Sequence, residues 1–166
     1  MFDLHALVFS FALALPPVRQ APDPCSLLTL EEIQAQSASA KVPPGIAETV
    51  SGPMGVQRCR YEFVAGKSAG KYTLTVTVSD AAKAYPGATT GEIKMAISRP
   101  AAPTDPPAIM IQKTGDGAYY KSGSAERSQA VALVKGSVVE VTLDGPNAGN
   151  SRRQTIELLR AAVARL

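Results

Sequence analysis

The side chains best suited to chemistry are few. The sequence holds one histidine, His5, and two cysteines, Cys25 and Cys59. His5 falls inside an apolar N-terminal run, so the remainder of the chain has no imidazole to serve as a general base or zinc ligand. Neither a Ser-His-Asp nor a Cys-His nucleophilic site can be assembled from it. The wide separation of the cysteines excludes a CxxC redox pair. Paired carboxylates could still carry acid–base work without histidine, as in glycoside hydrolysis. Glu62 and Glu140 both fall on the polar side of alternating stretches and could meet across a sheet, although a solvated strand face is their ordinary explanation. Asp105, Asp116 and Asp144 stand beside or near Gly or Pro in turn-forming contexts, and no Asp-x-Asp-x-Asp-Gly calcium loop occurs. Gly66-Lys67-Ser68 has the ending of a phosphate-binding loop. The first glycine of that motif would fall at position 61, which is Tyr61, and the segment joins two alternating stretches instead of opening a helix. A Ser-Lys nucleophile is equally unsupported, since Lys121-Ser122 reads as part of a Gly/Ser-rich loop. The sequence therefore implies no catalytic residue, metal ligand or cofactor, and it leaves the ligand-binding residues unassigned.

Charge narrows the partner classes. The formal net charge is +3, or +4 without residues 1–14, whose one charged residue is Asp3. A nucleic-acid binder would show a basic stripe with interleaved aromatics, and none is present. Arg152-Arg153 opens a helical stretch, where cations oppose the helix dipole but suit a solvated or anion-facing surface. Tyr119-Tyr120 on an alternating strand sends one ring inward and one outward, so one tyrosine is expected at the surface as a contact candidate or a plain exposed aromatic.

The elements that would position these residues begin after an N-terminal leader. Residues 4–15 form a twelve-residue apolar run followed by Pro16-Pro17. A membrane span needs about 20 such residues. The length fits the core of a secretory signal, and Ala12-Leu13-Ala14 supplies a small-x-small cleavage pattern, giving a signal peptide over 1–14. Asp3 stands where a signal normally carries Lys or Arg, and a buried N-terminal helix and a membrane anchor are the competing readings. Residues 15–24 hold four prolines and read as an extended leader. Export places the two cysteines in an oxidising compartment, where Cys25 to Cys59 is the simplest disulfide; in a cytosolic chain they would be two buried thiols. Lipid attachment at Cys25 would alter only the anchoring, and Ala21-Pro22-Asp23-Pro24 before it lacks the small and aliphatic residues of a lipoprotein cleavage site.

The remaining residues, 25–166, are expected to form one domain, since 45% of the chain is hydrophobic and 19% charged. Thr29 with Glu32 is a capping box, flanked by a Leu28–Ile33 staple, and predicts a helix over 30–40. Residues 45–57 show no period and read as a loop. Cys59, Tyr61 and Phe63 alternate with Arg58, Arg60 and Glu62, and Tyr72, Leu74, Val76 and Val78 alternate with hydroxyl residues, which predicts a hairpin. Thr89 with Glu92 opens a second, short helix, and residues 101–107 form a polyproline-like connector. Residues 108–112 are open to a short strand. Residues 118–121, 129–134 and 137–143 read as strands, the last two joined tightly at Lys135-Gly136. Ser151 with Gln154 gives a third capping box, opening a helix with Ile156, Leu159, Val163 and Leu166 at helical spacing. The fold class expected is α+β, in two layers: a mostly antiparallel sheet of about five strands with helices packed on one face, tied by one disulfide.

Asp23-Pro24-Cys25-Ser26-Leu27-Leu28-Thr29, Cys59-Arg60-Tyr61, Gly115-Asp116-Gly117-Ala118-Tyr119 and Lys135-Gly136 occur in one order. Together they resemble the small exported bacterial domains, often lipoproteins, that open with an Asp-Pro-Cys-x-Leu-Leu-Thr motif and are grouped as domains of unknown function. The resemblance covers residues 23–166. It implies an extracytoplasmic, disulfide-tied α+β module, similar in broad plan to the sensor domains some membrane kinases display outside the cell, and it implies no catalytic residues. This chain lacks the lipobox of many such relatives.

The function these features favour is a secreted or periplasmic, non-catalytic binding or interaction module of accessory or sensory kind, whose partner is an envelope component or another protein. Nucleic acid and metal are not expected partners. Membrane attachment would follow only from lipidation or from an uncleaved signal. The alternatives are a cell-envelope hydrolase using paired carboxylates and an inhibitor of a secreted enzyme, for which residues 45–57 or 100–107 would have to supply a rigid protruding loop.

Overall fold

Alternation of apolar and polar residues builds the sheet. A computed structural model describes residues 22–37, 41–50, 55–65, 70–100 and 102–166; the expected signal segment and most of the leader lie outside the described residues. Strand β2 (Gln57–Ala65) pairs antiparallel with β3 (Gly70–Asp80), and the register sets Cys59 against Val76, Tyr61 against Leu74 and Phe63 against Tyr72 on one face. On its other side β3 takes β7 (Ser137–Asp144), placing Val141 and Leu143 opposite Val76 and Leu74. Strand β6 (Arg127–Val134) returns along β7 through Lys135-Gly136. Both turn residues have positive φ, 47° and 80°, as a two-residue hairpin requires. Strand β5 (Gly117–Ser122) and the edge strand β4 (Ile109–Ile111) follow on that side, and β1 (Ile46–Thr49) forms the opposite edge. The seven strands run in the order β1-β2-β3-β7-β6-β5-β4, with every neighbouring pair antiparallel.

One face of the sheet is covered by α1 (Leu30–Ser37) and α4 (Arg152–Ala164). The first helix starts where the Thr29 hydroxyl accepts from the Glu32 amide and the Glu32 carboxylate accepts from the Thr29 amide. It buries Ile33 completely. Helix α4 buries Leu158, Leu159 and Ala162, each apolar side chain of leucine size contributing roughly 1.5–3 kcal/mol. Among them lies Thr155, whose hydroxyl is 2.8 Å from Ser128 Oγ and donates to Ser151 O at 3.0 Å, so a polar pair is buried without losing its hydrogen bonds. The two helices are linked at their far ends: Arg165 donates to Leu27 O at 3.1 Å and pairs with Glu32 at 2.9 Å.

The Cys25–Cys59 disulfide is formed, with Cα atoms 5.0 Å apart, and ties the 3-10 turn Pro24–Ser26 to the first part of β2. Tyr61 OH donates to Cys25 O at 3.3 Å beside it. The chain passes close over this staple at Gly45, where a Cβ atom would come within 2.6 Å of the Tyr61 ring. Only a residue without a side chain fits there.

The opposite face carries helices too. Asp80 caps the short α2 (Ala81–Ala84), and a Thr89–Glu92 capping box starts α3 (Thr90–Ile97). Ala81, Ile93 and Ile97 pack on Val131, Leu133 and Val138, which point away from the main core. The expectation of about five strands in two layers with helices on one face is therefore corrected: the sheet has seven strands and both faces bear helices. Strand β1 lies in the segment read as a loop, because an edge strand with no buried residue shows no alternation. The Ser151 side chain makes no capping hydrogen bond, so the third box is not formed. Of the helical residues expected to face inward there, only Leu159 is fully buried; Ile156, Val163 and Leu166 pack at the margin.

Candidate functional site

Helices α2 and α3 cover only part of their side of the sheet. The rest is a polar face whose residues are set by register. Arg58, Arg60 and Glu62 on β2 stand opposite Thr77, Thr75 and Thr73 on β3. Those threonines stand opposite Glu140, Thr142 and Asp144 on β7. Gln129 and Arg127 on β6 continue two of these rows, and Lys121 on β5 ends the Thr75–Thr142–Gln129 row. A strip of three threonine hydroxyls is thus flanked on both sides by charges of both signs.

Those charges are tied to one another within the face. Glu48 on β1 forms ion pairs with both arginines, 2.9 Å from Arg60 Nε and 3.8 Å from Arg58 Nη1, while Arg60 Nη1 pairs with Glu62 at 2.6 Å; the buried Nε atoms of Arg58 and Arg60 have no hydrogen-bond partner among the described residues. Arg127 Nε pairs with Asp144 at 2.6 Å, and that hydrogen bond raises the guanidinium pKa above its ordinary value. Thr142 Oγ1 donates to Glu140 at 3.2 Å. Burial holds the Lys121 ammonium below the usual lysine value, with the charge of Glu140 opposing the shift. Exposed pairs of this kind contribute about 0–1 kcal/mol each, so fold stability alone does not require them.

The face ends in a cleft of about 510 Å³ between the turn at Ala102–Asp105 and the β5–β6 connection. Hydrogen bonds tie its walls. Asp105 accepts from the Ala102 amide at 2.8 Å, and Gly145 N and Gly149 N donate to Glu126 O and Ala125 O at 2.9 and 3.0 Å. The Arg127–Asp144 pair lines the cleft together with Glu126 and Asp105.

The sequence-derived candidates are dispersed. Glu62 and Glu140 share the polar face but sit two strands and four residues apart in register, about 16 Å by strand spacing. A glycosidase-type pair needs roughly 5–10 Å. Each also has its own partner, Arg60 and Thr142. Lys121 and Ser122 are consecutive in a strand, not in a loop, so their side chains leave opposite faces and cannot act together. Asp105 stabilises its own turn, Asp116 accepts from the Lys135 amide, and Asp144 pairs with Arg127. Among the described residues no group of His, Cys, Asp and Glu could hold a metal ion. Tyr120 is buried, and Tyr119 is packed partly beneath α3 instead of standing free. Arg152 lies over the Tyr120 ring at 5.5 Å. His5 and Gly66-Lys67-Ser68 lie outside the described residues. Residues 46–49 are an edge strand, so the stretch considered as an inhibitory loop is partly sheet. Among the described residues no helix is long and apolar enough to cross a membrane.

Sequence reasoning placed Arg58, Arg60 and Glu62 on one side of a strand but missed the face they belong to, because it depends on the β3–β7 pairing. No family model, curated protein or solved structure matches this chain.

Proposed function

We propose that this chain is an extracytoplasmic, non-catalytic binding module that docks a protein partner on the polar face of its sheet. The observation that carries this reading is the uneven covering of that side. Helices α2 and α3 bury the apolar Val131, Leu133 and Val138, while the neighbouring rows of Arg, Glu and Thr, half-buried apart from the exposed Glu62 and the buried Thr142, lie beside a cleft outside those helices. Alternating charges on a surface set by rigid strands favour selection of a partner by electrostatic complementarity, which governs specificity and encounter rate more than raw affinity. The expected signal segment, the resemblance to small exported domains and the disulfide fit one compartment, since such bridges persist in oxidising surroundings.

Site-specific photo-crosslinking in the native host tests it. A benzoylphenylalanine placed at Thr75 or Thr77 should give an adduct of discrete mass, and one placed at Arg160 on the opposite layer should not. Equal labelling at all three positions, or adducts at none, would overturn the reading.

A further inference from the structure

A second cleft, of about 150 Å³, lies on the side of the sheet covered by α1 and α4, between the end of α1, the β2–β3 hairpin and the start of α4. Its floor is apolar and fixed. The Phe63 and Tyr72 rings stack at 6.0 Å with planes 10° apart, Tyr72 OH donates to Pro146 O at 2.5 Å, and Leu143 completes the surface. Its walls are polar and uncharged. Gln36, Ser151 and Gln154 are half-buried around it, and none of their side chains has a hydrogen-bond partner among the described residues. Two amides and a hydroxyl therefore converge, with donors and acceptors unused, over an aromatic and aliphatic floor.

Size and chemistry together define what fits. A cavity of about 150 Å³ accommodates one six-membered ring. A charged ring would be desolvated there with no counter-charge in the lining. A wholly apolar ring would leave the two amides and the hydroxyl dehydrated and unpaired. We propose that this cleft binds a single neutral pyranose ring, its C–H face on Phe63, Tyr72 and Leu143 and its hydroxyls bonded to Gln36, Ser151 and Gln154. Such a ring could arrive as a free monosaccharide or as the terminal sugar of a glycan. The proposal is independent of the polar face, which lies on the other side of the sheet.

Amide NMR titration of the oxidised protein tests it, with three probes: methyl β-glucopyranoside, N-acetylglucosamine and its β-1,4-linked trimer. Saturable shifts are expected at Phe63, Tyr72, Ser151 and Gln154, with Thr75 and Thr77 on the polar face unmoved. Response to the monosaccharides identifies free sugar as sufficient, and response to the trimer alone identifies a glycan end. Gln154→Leu should bind roughly fivefold to tenfold more weakly, as expected for the loss of one neutral hydrogen bond. Its circular dichroism and unfolding midpoint, compared with those of the parent, establish that the fold persists; Gln36→Leu provides the same measurement from the opposite wall. Absence of saturable shifts with all three probes, shifts away from the cleft, or undiminished binding in both leucine variants would overturn the assignment.

Discussion

Removing the Cys25–Cys59 bridge should lower the unfolding free energy by about 4 kcal/mol, the chain entropy associated with a loop closed across 34 residues. The effect resides mainly in the unfolded chain. In the folded protein the 3-10 turn stays attached without the sulfurs, because Leu27 and Leu28 are buried, Tyr61 OH donates to Cys25 O and Arg165 donates to Leu27 O. The Cys25→Ala/Cys59→Ala variant is therefore expected to fold and to unfold more easily. Urea titration followed by far-ultraviolet circular dichroism measures the difference. With a slope of about 2 kcal/mol per molar urea, the midpoint should fall by about 2 M. Reduced wild-type protein keeps both sulfur atoms and should show nearly the same fall, which separates chain entropy from the small cavity left at Cys59. A fall below about 0.5 M at unchanged slope would refute the reasoning, since the loop would then restrict the unfolded chain hardly at all.

Gly45→Ala should cost about 1–3 kcal/mol in the same titration, because its methyl group meets Cys59 Sγ and the Tyr61 ring; an unchanged midpoint would show that the passing chain can move aside freely. Thr155→Val should cost about 0.5–1.5 kcal/mol, since it removes the shorter of the two hydroxyl contacts of the buried Ser128 and leaves the 3.3 Å bond to Tyr120 OH, and a stabilising result would contradict the assigned network. The carboxyl of Glu32 is pushed up by burial but held, on balance, below its ordinary 4.5 by the hydrogen bond from Arg165 and those from Thr29. The folded form thus binds this proton less readily than the unfolded one. Its stabilisation is complete above pH 4.5 and is lost as pH falls through the lower folded value. Glu32→Gln should be less stable than wild type near neutrality and converge on it in acid, as read from thermal unfolding across that range. A constant gap would show that the charge is not responsible.

The hairpin of β2 and β3 was legible because each strand has one wet side, and α1 and α3 because their capping boxes are local. What escaped notice was a second buried side. Residues 130–134 read Ala-Val-Ala-Leu-Val without alternation, and that continuity marks a strand covered on both faces. Ala130, Ala132 and Val134 face α4, while Val131 and Leu133 face α3. Weighing this run for continuity, and not only for length, would have called for a helical layer on each side. Strand β1 offers no comparable signal. Its residues are exposed or half-exposed, and it is held by pairing to β2 and by the Glu48 contacts with Arg58 and Arg60.

The candidate face was less legible than the fold, for a reason that lies in register. Alternation assigns a residue to a side of its own strand but says nothing about which strand lies beside it. Glu62 and Glu140 satisfy the same pattern, yet β3 stands between their strands and offsets them along the sheet. The same intervening strand places Thr73, Thr75 and Thr77 at the centre of the polar rows, with Arg58, Arg60 and Glu62 on one flank and Glu140 and Asp144, backed by Arg127, on the other. A slip of one residue in the β3–β7 pairing would turn Val139 and Val141 outward and Glu140 into the core. The buried valines therefore fix the position of the charged face. Its layout follows from the same packing that closes the core, although the charges themselves add little to stability. Substitutions such as Arg58→Ala or Thr75→Ala should accordingly leave the unfolding midpoint almost unchanged while weakening crosslinking at the face. A large loss of stability from either would mean that these residues serve the fold and not a partner.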